Sequence, residues 1–139
     1  MRVLVIDDEP DVLLLCRLNL EFAGHDVLQA ADGESGLEAA RRDGPDVIVL
    51  DVMLPHRDGL AILEDLGASE ATRDTPVILL TAKTQAEDRL AGWRAGCSAY
   101  VAKPFSPAAL ADTVDLVAAM TPDERDRRRA HEIAVLDRT

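Results

Sequence analysis

A short aliphatic run, residues 47–50, leads directly into the carboxylate of Asp51 and then into a loop that contains Pro55 and Gly59. A run this short and this apolar is typical of a strand that is buried on both faces of a parallel sheet. Asp51 is therefore expected where a central strand reaches the surface. Its carboxylate either caps the following turn, as aspartates often do, or belongs to a reactive site.

Four similar runs, each followed by a helical pattern, occur elsewhere in the chain. They cover residues 2–6, 27–30, 77–81 and 98–102. Strands that alternate with helices through short connections predict a parallel sheet with helices on both faces, because each crossover is right-handed. The first, third and fourth runs are the most aliphatic and are expected at the centre. We predict an α/β fold with a doubly wound, five-stranded parallel sheet in the order 2-1-3-4-5, the flavodoxin-like (βα)5 arrangement.

The helical patterns carry recognisable start and stop signals. Pro10 opens the first helix, whose apolar residues between positions 12 and 22 form a broad stripe that is expected to face the core. Ser106 and Pro107 open the fifth helix in the same way. These signals and the length of the chain predict a single domain over residues 1–120, followed by an extension over residues 121–139.

The extension has its own helix signature. Thr121, Pro122 and Glu124 form a capping box that predicts an extra helix to about residue 136. The first half of this helix is nearly all charged, and its small apolar face is centred on Ile133. We favour a solvated helix that docks through one turn. The alternative is a contact with a partner or with a second copy in a homodimer.

Charge and hydropathy exclude several classes of function. The net charge is −11, and the acidic excess lies in residues 1–121. Such a field repels phosphate backbones, so direct nucleic-acid binding by this chain is not expected. The first apolar run is too short for a signal peptide or a membrane span, so we expect a cytoplasmic protein without membrane association. Cys16 and Cys97 are expected as reduced thiols.

Reactive side chains follow the predicted strands at the edge of the sheet where their carboxyl ends meet. They are Asp7, Asp8, Asp51, Thr81 and Lys103. Three adjacent carboxylates repel one another, and a hard divalent cation with oxygen ligands, such as Mg²⁺, relieves that repulsion. The set has no thiolate or imidazole, which argues against zinc or copper. A carboxylate nucleophile, a metal, a lysine and a hydroxyl predict phosphoryl transfer to Asp51, with a reversible acyl phosphate as the product.

These residues resemble the conserved pattern of the receiver domains of two-component response regulators over residues 1 to about 120. The matching residues are Asp7-Asp8, Asp51 with Pro55 and Gly59, Thr81-Ala82, Tyr100, and Lys103-Pro104-Phe105. The resemblance implies that a sensor histidine kinase or a histidine phosphotransfer protein phosphorylates Asp51. It implies that Asp8, Asp51 and the backbone carbonyl of Met53 ligate Mg²⁺, and that Asp7 assists through water. It also implies a cis peptide bond before Pro104.

The resemblance further implies a signalling mechanism. Thr81 moves toward the bound phosphate, and Tyr100 then turns inward. The surface formed by the fourth helix, the fifth strand and the fifth helix (the α4-β5-α5 face) changes as a result, and a downstream protein target binds there. Such a protein is not an enzyme in the usual sense, because it catalyses only its own phosphorylation and dephosphorylation.

Other functions remain open on the sequence alone. The chain is also consistent with the receiver fragment of a longer DNA-binding transcriptional regulator. A phosphatase of the haloacid-dehalogenase type needs a second aspartate two residues after the nucleophile, where this chain has Met53. A flavodoxin-like redox module needs a phosphate-binding loop after the first strand, where Asp7, Asp8 and Glu9 would repel a flavin phosphate.

Overall fold

The computed structural model describes residues 1–138, in which five strands form one parallel sheet. The strands are β1 (Arg2–Ile6), β2 (Asp26–Ala30), β3 (Val47–Leu50), β4 (Val77–Thr81) and β5 (Ala99–Ala102). Their order is β2-β1-β3-β4-β5, and every neighbouring pair is parallel. This order confirms the predicted architecture and places the three most aliphatic strands at the centre of the sheet.

Within residues 1–138, six helices accompany the sheet. They are α1 (Pro10–Phe22), α2 (Gly33–Asp43), α3 (Gly59–Ala68), α4 (Ala86–Ala95), α5 (Pro107–Ala119) and α6 (Pro122–Asp137). The hydroxyl of Ser106 accepts a hydrogen bond from the Ala109 amide at the start of α5, as its capping signal predicts. None of the helices within residues 1–138 is long and apolar enough to cross a membrane.

The core is divided by the sheet into two layers. Strand side chains point alternately to opposite faces, so Leu4 and Ile48 join one layer while Val3 and Val47 join the other. The first layer is completed by α2, α3 and α4, and the second by α1 and α5. Cys16 and Cys97 are buried in different layers and both are free thiols, as expected.

The apolar stripe of α1 is only partly buried, which differs from the prediction. Cys16 and Leu20 lie in the core, but Leu15 and Leu18 are exposed and Phe22 is 96% exposed. The apolar residues of this helix extend around more of its circumference than one packed layer covers. The apolar residues of α1 that lie outside the surface covered by this layer are therefore exposed to solvent.

Helix α6 is docked along its length, so the interpretation of a solvated helix with one docking turn is wrong. Near its start, Arg125 is only 9% exposed and donates hydrogen bonds of 2.7 Å to the backbone carbonyls of Met120 and Asp74. Near its end, Ile133 and Leu136 pack against the layer that contains α4. The charged first half misled the prediction because its arginines bind backbone carbonyls. The division of the chain at residue 120 stays a prediction.

Candidate functional site

Strand pairing brings the aspartates of β1 and β3 together. Ile6 is paired with Leu50 in the sheet, so the next residues, Asp7 and Asp51, leave adjacent strands side by side. The amide of Asp51 donates to the carbonyl of Ile6, which extends this pairing to the end of the strand. The crevice at this edge is where the strand order reverses, the place where ligands bind in open α/β sheets.

The three predicted carboxylates form one cluster. One carboxylate oxygen from each of Asp7, Asp8 and Asp51 lies within 4.8 Å of the other two. Asp7 and Asp51 are buried, whereas Asp8 is exposed at the mouth of the crevice. Burial raises the pKa of Asp7, and its hydrogen bond with Lys103 opposes this effect only in part. The donor set consists of hard oxygens, the type that Mg²⁺ prefers, and therefore fits that ion.

Lys103 provides the positive charge of the site. Its Nζ lies 2.8 Å from Oδ2 of Asp7, 2.9 Å from Oδ2 of Asp51 and 3.1 Å from Oε1 of Glu9. Burial alone would lower the pKa of Lys103, but its hydrogen bonds to three carboxylates outweigh burial and raise the pKa. The peptide bond between Lys103 and Pro104 is cis, as the resemblance implies.

Glu9 is a member of the site that the sequence reasoning missed. Its carboxylate is mostly exposed but contacts Lys103 directly, and its amide donates a hydrogen bond of 2.9 Å to Oδ1 of Asp7. Three consecutive acids at the end of a predicted strand were a signal that could have identified it. Glu9 also directly precedes α1, so it connects the acidic cluster to the start of that helix.

The loop after β3 holds the Asp51 carboxylate in place. The amide of Met53 donates to Oδ1 of Asp51 over 3.0 Å, while Oδ2 contacts Lys103. The loop is closed at its other end by Gly59, whose amide donates to the carbonyl of Val52. A Cβ at Gly59 would lie 2.2 Å from the carbonyl oxygen of Asp51, so only glycine fits there.

The loop is also attached to two helices by a residue that the sequence reasoning did not identify. Arg57 forms an ion pair of 2.7 Å with Glu34 of α2 and a second ion pair with Asp65 of α3. Long charged side chains on a loop carry no periodic signal, so this contact could not be predicted from spacing.

Thr81 lies at the carboxyl end of β4, next to the strand that leads into Asp51. Its side chain is fully buried, and its Oγ1 accepts a hydrogen bond of 3.3 Å from the amide of Lys83. Met53, Lys83 and Asp8 line the shallow cleft above the cluster. The Thr81 hydroxyl therefore lies at the same edge of the sheet as the cluster, with a backbone amide as its hydrogen-bond donor.

Tyr100 of β5 is connected to the same loop. It is half-buried, and its hydroxyl donates to the backbone carbonyl of Lys83. Burial raises the pKa of Tyr100 to about 12, so the phenol keeps its proton. Arg89 of α4 lies over the ring, with its guanidinium carbon 5.5 Å from the ring centroid. The role of Arg89 had no signal in the sequence.

Together these groups form one polar cluster at the carboxyl edge of the sheet. Lys103 contacts both Asp7 and Asp51, Asp8 adds an exposed carboxylate, and Thr81 ends the adjacent strand. The structure thus brings together Asp7, Asp8, Asp51 and Lys103 as predicted, and connects Thr81 to Tyr100 through Lys83. Carboxylate nucleophile, fixed cation and hydroxyl donor are the parts that phosphoryl transfer uses.

Comparison with known proteins identifies relatives with the same fold. Residues 3–115 match the family model of the response regulator receiver domain. The receiver domain of the sensor histidine kinase PA1611 of Pseudomonas aeruginosa, solved with a magnesium ion in its active site cleft, superposes with a TM-score of 0.80 at 31% identity. That superposition covers 86% of this chain and 98% of the PA1611 chain.

Two transcriptional regulators are similar in sequence over the same region. The DNA-binding dual master transcriptional regulator RpaA of Synechocystis sp. is 45% identical over 104 residues, 75% of this chain. The alkaline phosphatase synthesis transcriptional regulatory protein PhoP of Bacillus subtilis is 42% identical over 106 residues, 76% of this chain. The chain spans 43% of the length of each of these relatives. It belongs to the response regulator receiver domain family.

Proposed function

We propose that the chain accepts a phosphoryl group on Asp51 in a two-component phosphorelay, from a phosphohistidine of a sensor histidine kinase or of a histidine phosphotransfer protein. The position of the Asp51 carboxylate supports this proposal most directly. It is only 3% exposed, lies 2.9 Å from the Lys103 ammonium and adjoins the carboxylates of Asp7 and Asp8. A carboxylate nucleophile beside a fixed cation suits the transfer of an anionic group.

The side chains of the pocket have separate tasks in this reaction. An oxygen of Asp51 forms a bond to phosphorus while the bond from phosphorus to the donor imidazole breaks, and the imidazole leaves with that electron pair. Lys103 stabilises the negative charge of the transferred oxygens, and the Thr81 hydroxyl donates a hydrogen bond to one of them. Water later hydrolyses the acyl phosphate, which releases inorganic phosphate and restores the Asp51 carboxylate.

Magnesium fits the remaining groups of the pocket. The residues that would hold it are Asp8, Asp51 and the backbone carbonyl of Met53, with Asp7 acting through water. The bound ion would neutralise charge on the carboxylates and on the transferred phosphoryl oxygens. The clustered oxygens of this chain and the magnesium ion in the related PA1611 receiver support this assignment.

Thr81 and Tyr100 form the switch in this proposal. Phosphate adds a charge of about −1.5 to −2 next to Thr81. When Thr81 moves toward the phosphate, it leaves space for the ring of Tyr100. This space favours the position of Tyr100 in which the tyrosine hydroxyl binds the carbonyl of Lys83. The α4-β5-α5 face then presents a different surface to a downstream protein target. Because the chain acts only on its own phosphoryl group, it turns over no metabolite.

A receiver that belongs to a longer DNA-binding transcriptional regulator is a second candidate. Relatives such as RpaA and PhoP, of which the chain spans 43%, favour it. In that case the output of the Asp51 site would be transmitted to a DNA-binding region. The phosphoacceptor chemistry proposed for residues 1–120 would be the same.

Incubation with acetyl phosphate and Mg²⁺ tests the phosphoacceptor proposal. We expect the intact mass to increase by one phosphoryl group, and we expect Asp51→Asn to abolish the increase. Asp112→Asn, a matched change of an exposed aspartate on α5, should leave it intact. A phosphoryl adduct that survives in Asp51→Asn would refute the assignment of the acceptor, and catalytic release of free phosphate without an adduct would indicate a phosphatase.

A further inference from the structure

One side of α4 is covered by α6. The guanidinium carbon of Arg128 lies 5.9 Å from the ring centroid of Trp93, a cation–π contact between the two helices. Trp93 is 4% exposed, and Ile133 and Leu136 of α6 pack against the same layer of the core. The side of α4 that carries Trp93 is therefore a helix-binding surface, and its occupant is a segment of the same chain.

Polar contacts from two points of α6 hold it at the C-terminal end of α4. Arg129 donates hydrogen bonds to the backbone carbonyls of Gly96 and Cys97, at 3.1 and 3.0 Å, where α4 ends. Asp137 forms an ion pair of 3.1 Å with Arg94 in the last turn of α4. The hydrogen bonds to carbonyls contribute more than the exposed ion pair, because water screens the ion pair. Any movement of α4 must therefore move α6 or break these contacts.

A neighbouring side of α4, formed by Arg89 and Gly92, is the seat against which the ring of Tyr100 packs. Arg89 covers one face of the ring and also donates a hydrogen bond to the carbonyl of Thr84 in the preceding loop. Gly92 lies against the ring edge, and a Cβ there would come within 2.9 Å of Cε2 of Tyr100. An alanine at position 92 would crowd the ring of Tyr100 and also Cδ1 of Leu79, which would lie 2.8 Å from the added Cβ, so the glycine and the present position of α4 favour this position of the ring.

We propose that α6 is an output element of this chain, and that its docking on α4 is coupled to the seating of Tyr100. Both depend on one position of α4, and both are present together in the structure. The inference rests on the proposed phosphorylation of Asp51, which would favour the seated tyrosine. Helix α6 begins beyond residues 3–115, the part that matches the receiver family model, so the coupling is an addition to the shared fold.

The coupling has a direction and must be reciprocal. Because seated Tyr100 and docked α6 share one position of α4, phosphorylation should strengthen α6 docking. By linkage, loss of α6 docking must weaken binding of a phosphoryl analogue by the same factor. Couplings between sites in proteins commonly amount to about 5–150-fold. A change of at least about fivefold in each direction is therefore expected.

Hydrogen exchange on the whole chain tests the first direction. Beryllofluoride with Mg²⁺ serves as the phosphoryl analogue, and the probe is the exchange rate of amides in residues 128–137, read by mass spectrometry. We expect the analogue to slow this exchange at least about fivefold. Gly92→Ala, which crowds the ring of Tyr100 and the end of the Leu79 side chain, should speed exchange without the analogue and should abolish most of the slowing.

A matched pair of variants on α6 tests the reciprocal direction. Ile133→Ser removes an apolar side chain that packs on the core, whereas Val135→Ser removes an exposed one from the same helix. The dissociation constant for beryllofluoride should rise at least about fivefold in Ile133→Ser and should be unchanged in Val135→Ser. Circular dichroism checks that each variant remains folded.

The outcomes separate this inference from the proposed function. If neither beryllofluoride nor acetyl phosphate modifies the wild-type chain, the proposed function fails. If both act on Asp51 but the exchange of α6 is unchanged, and Ile133→Ser binds the analogue as the wild type does, the coupling is refuted while the phosphoacceptor role stands. Faster exchange of α6 with the analogue would also overturn the proposal, because the direction would be reversed.

Discussion

Gly59→Ala should disturb the Asp51 site through the backbone alone. An ideal Cβ at this position would lie 2.2 Å from the carbonyl oxygen of Asp51, 2.6 Å from the Cα of Val52 and 2.9 Å from the carbonyl oxygen of Val52. Ordinary contact begins at 3.4 Å, so the closest atom must move by about 1 Å. All three neighbours are backbone atoms, and no side chain can rotate away to make room.

The expected loss of stability lies at the upper end of the range for overpacking, about 3 kcal/mol. A domain of this length has a free energy of unfolding of roughly 7–20 kcal/mol, so the variant should still fold. The displaced atoms belong to Asp51, the proposed nucleophile, and to its neighbour Val52. Because a shift of about 1 Å in a reacting group can cost about 10²-fold in rate, phosphorylation by acetyl phosphate should slow by a similar factor.

Gly67→Ala in the same helix is the matched control. A Cβ at Gly67 would have no neighbour within 4 Å, so alanine should stabilise α3 by about 0.5–1 kcal/mol through its higher helix propensity. Urea denaturation measures both free energies, and intact-mass kinetics measures the phosphorylation rate. A Gly59→Ala variant with the stability and rate of the wild type would refute the steric argument.

Three further predictions concern charge and burial. Lys103→Met leaves three contacted carboxylates without their cation, so it should lower the free energy of unfolding in urea by about 3 kcal/mol. Saturating Mg²⁺ should reduce that loss, and an unchanged loss would contradict the proposed magnesium site. Burial raises the pKa of Cys16 and Cys97 from 9.0 to about 12, so their contribution to stability is complete below pH 9 and is lost as the pH rises toward 12. At pH 10 the loss should be about 1.4 kcal/mol for each thiol relative to a cysteine-free variant, and a pH dependence identical to that variant's would disprove it. Arg125→Met should lower the free energy of unfolding by about 2 kcal/mol, because two backbone carbonyls lose a charged donor. Arg127→Met, at an exposed position, should change it by less than about 0.5 kcal/mol; equal effects would show that the buried hydrogen bonds contribute nothing.

The fold could be predicted because its determinants are local and repetitive. Each strand is a short aliphatic run, and three of the five strands are buried along almost their whole length, as β3 and β4 illustrate. The site followed from topology, since residues that end parallel strands meet at one edge of the sheet. Asp51 and Lys103 are far apart in sequence, but the rule predicted that they would lie close together, and they are in contact.

Side-chain contacts that depend on the exact packing of helices could not be predicted. Arg125 lies in a charged segment that was interpreted as solvated, yet it binds two backbone carbonyls. Arg89, to which no role was assigned, covers the ring of Tyr100. Phe22 shows the opposite error, because an aromatic residue within an apolar helix was expected in the core and is 96% exposed. Composition fixes how apolar a helix is, but neighbouring helices determine which of its residues are covered.

Borohydride trapping tests the identity of the phosphoacceptor most directly. Reduction of an acyl phosphate converts its carboxyl carbon to an alcohol, and peptide mass spectrometry locates the changed residue. After treatment with acetyl phosphate and Mg²⁺, we expect the reduced residue at position 51 alone, and we expect none when Mg²⁺ is chelated. Reduction at Asp7 or Asp8 in place of Asp51, or labelling that does not depend on Mg²⁺, would contradict the proposed phosphoryl transfer to Asp51.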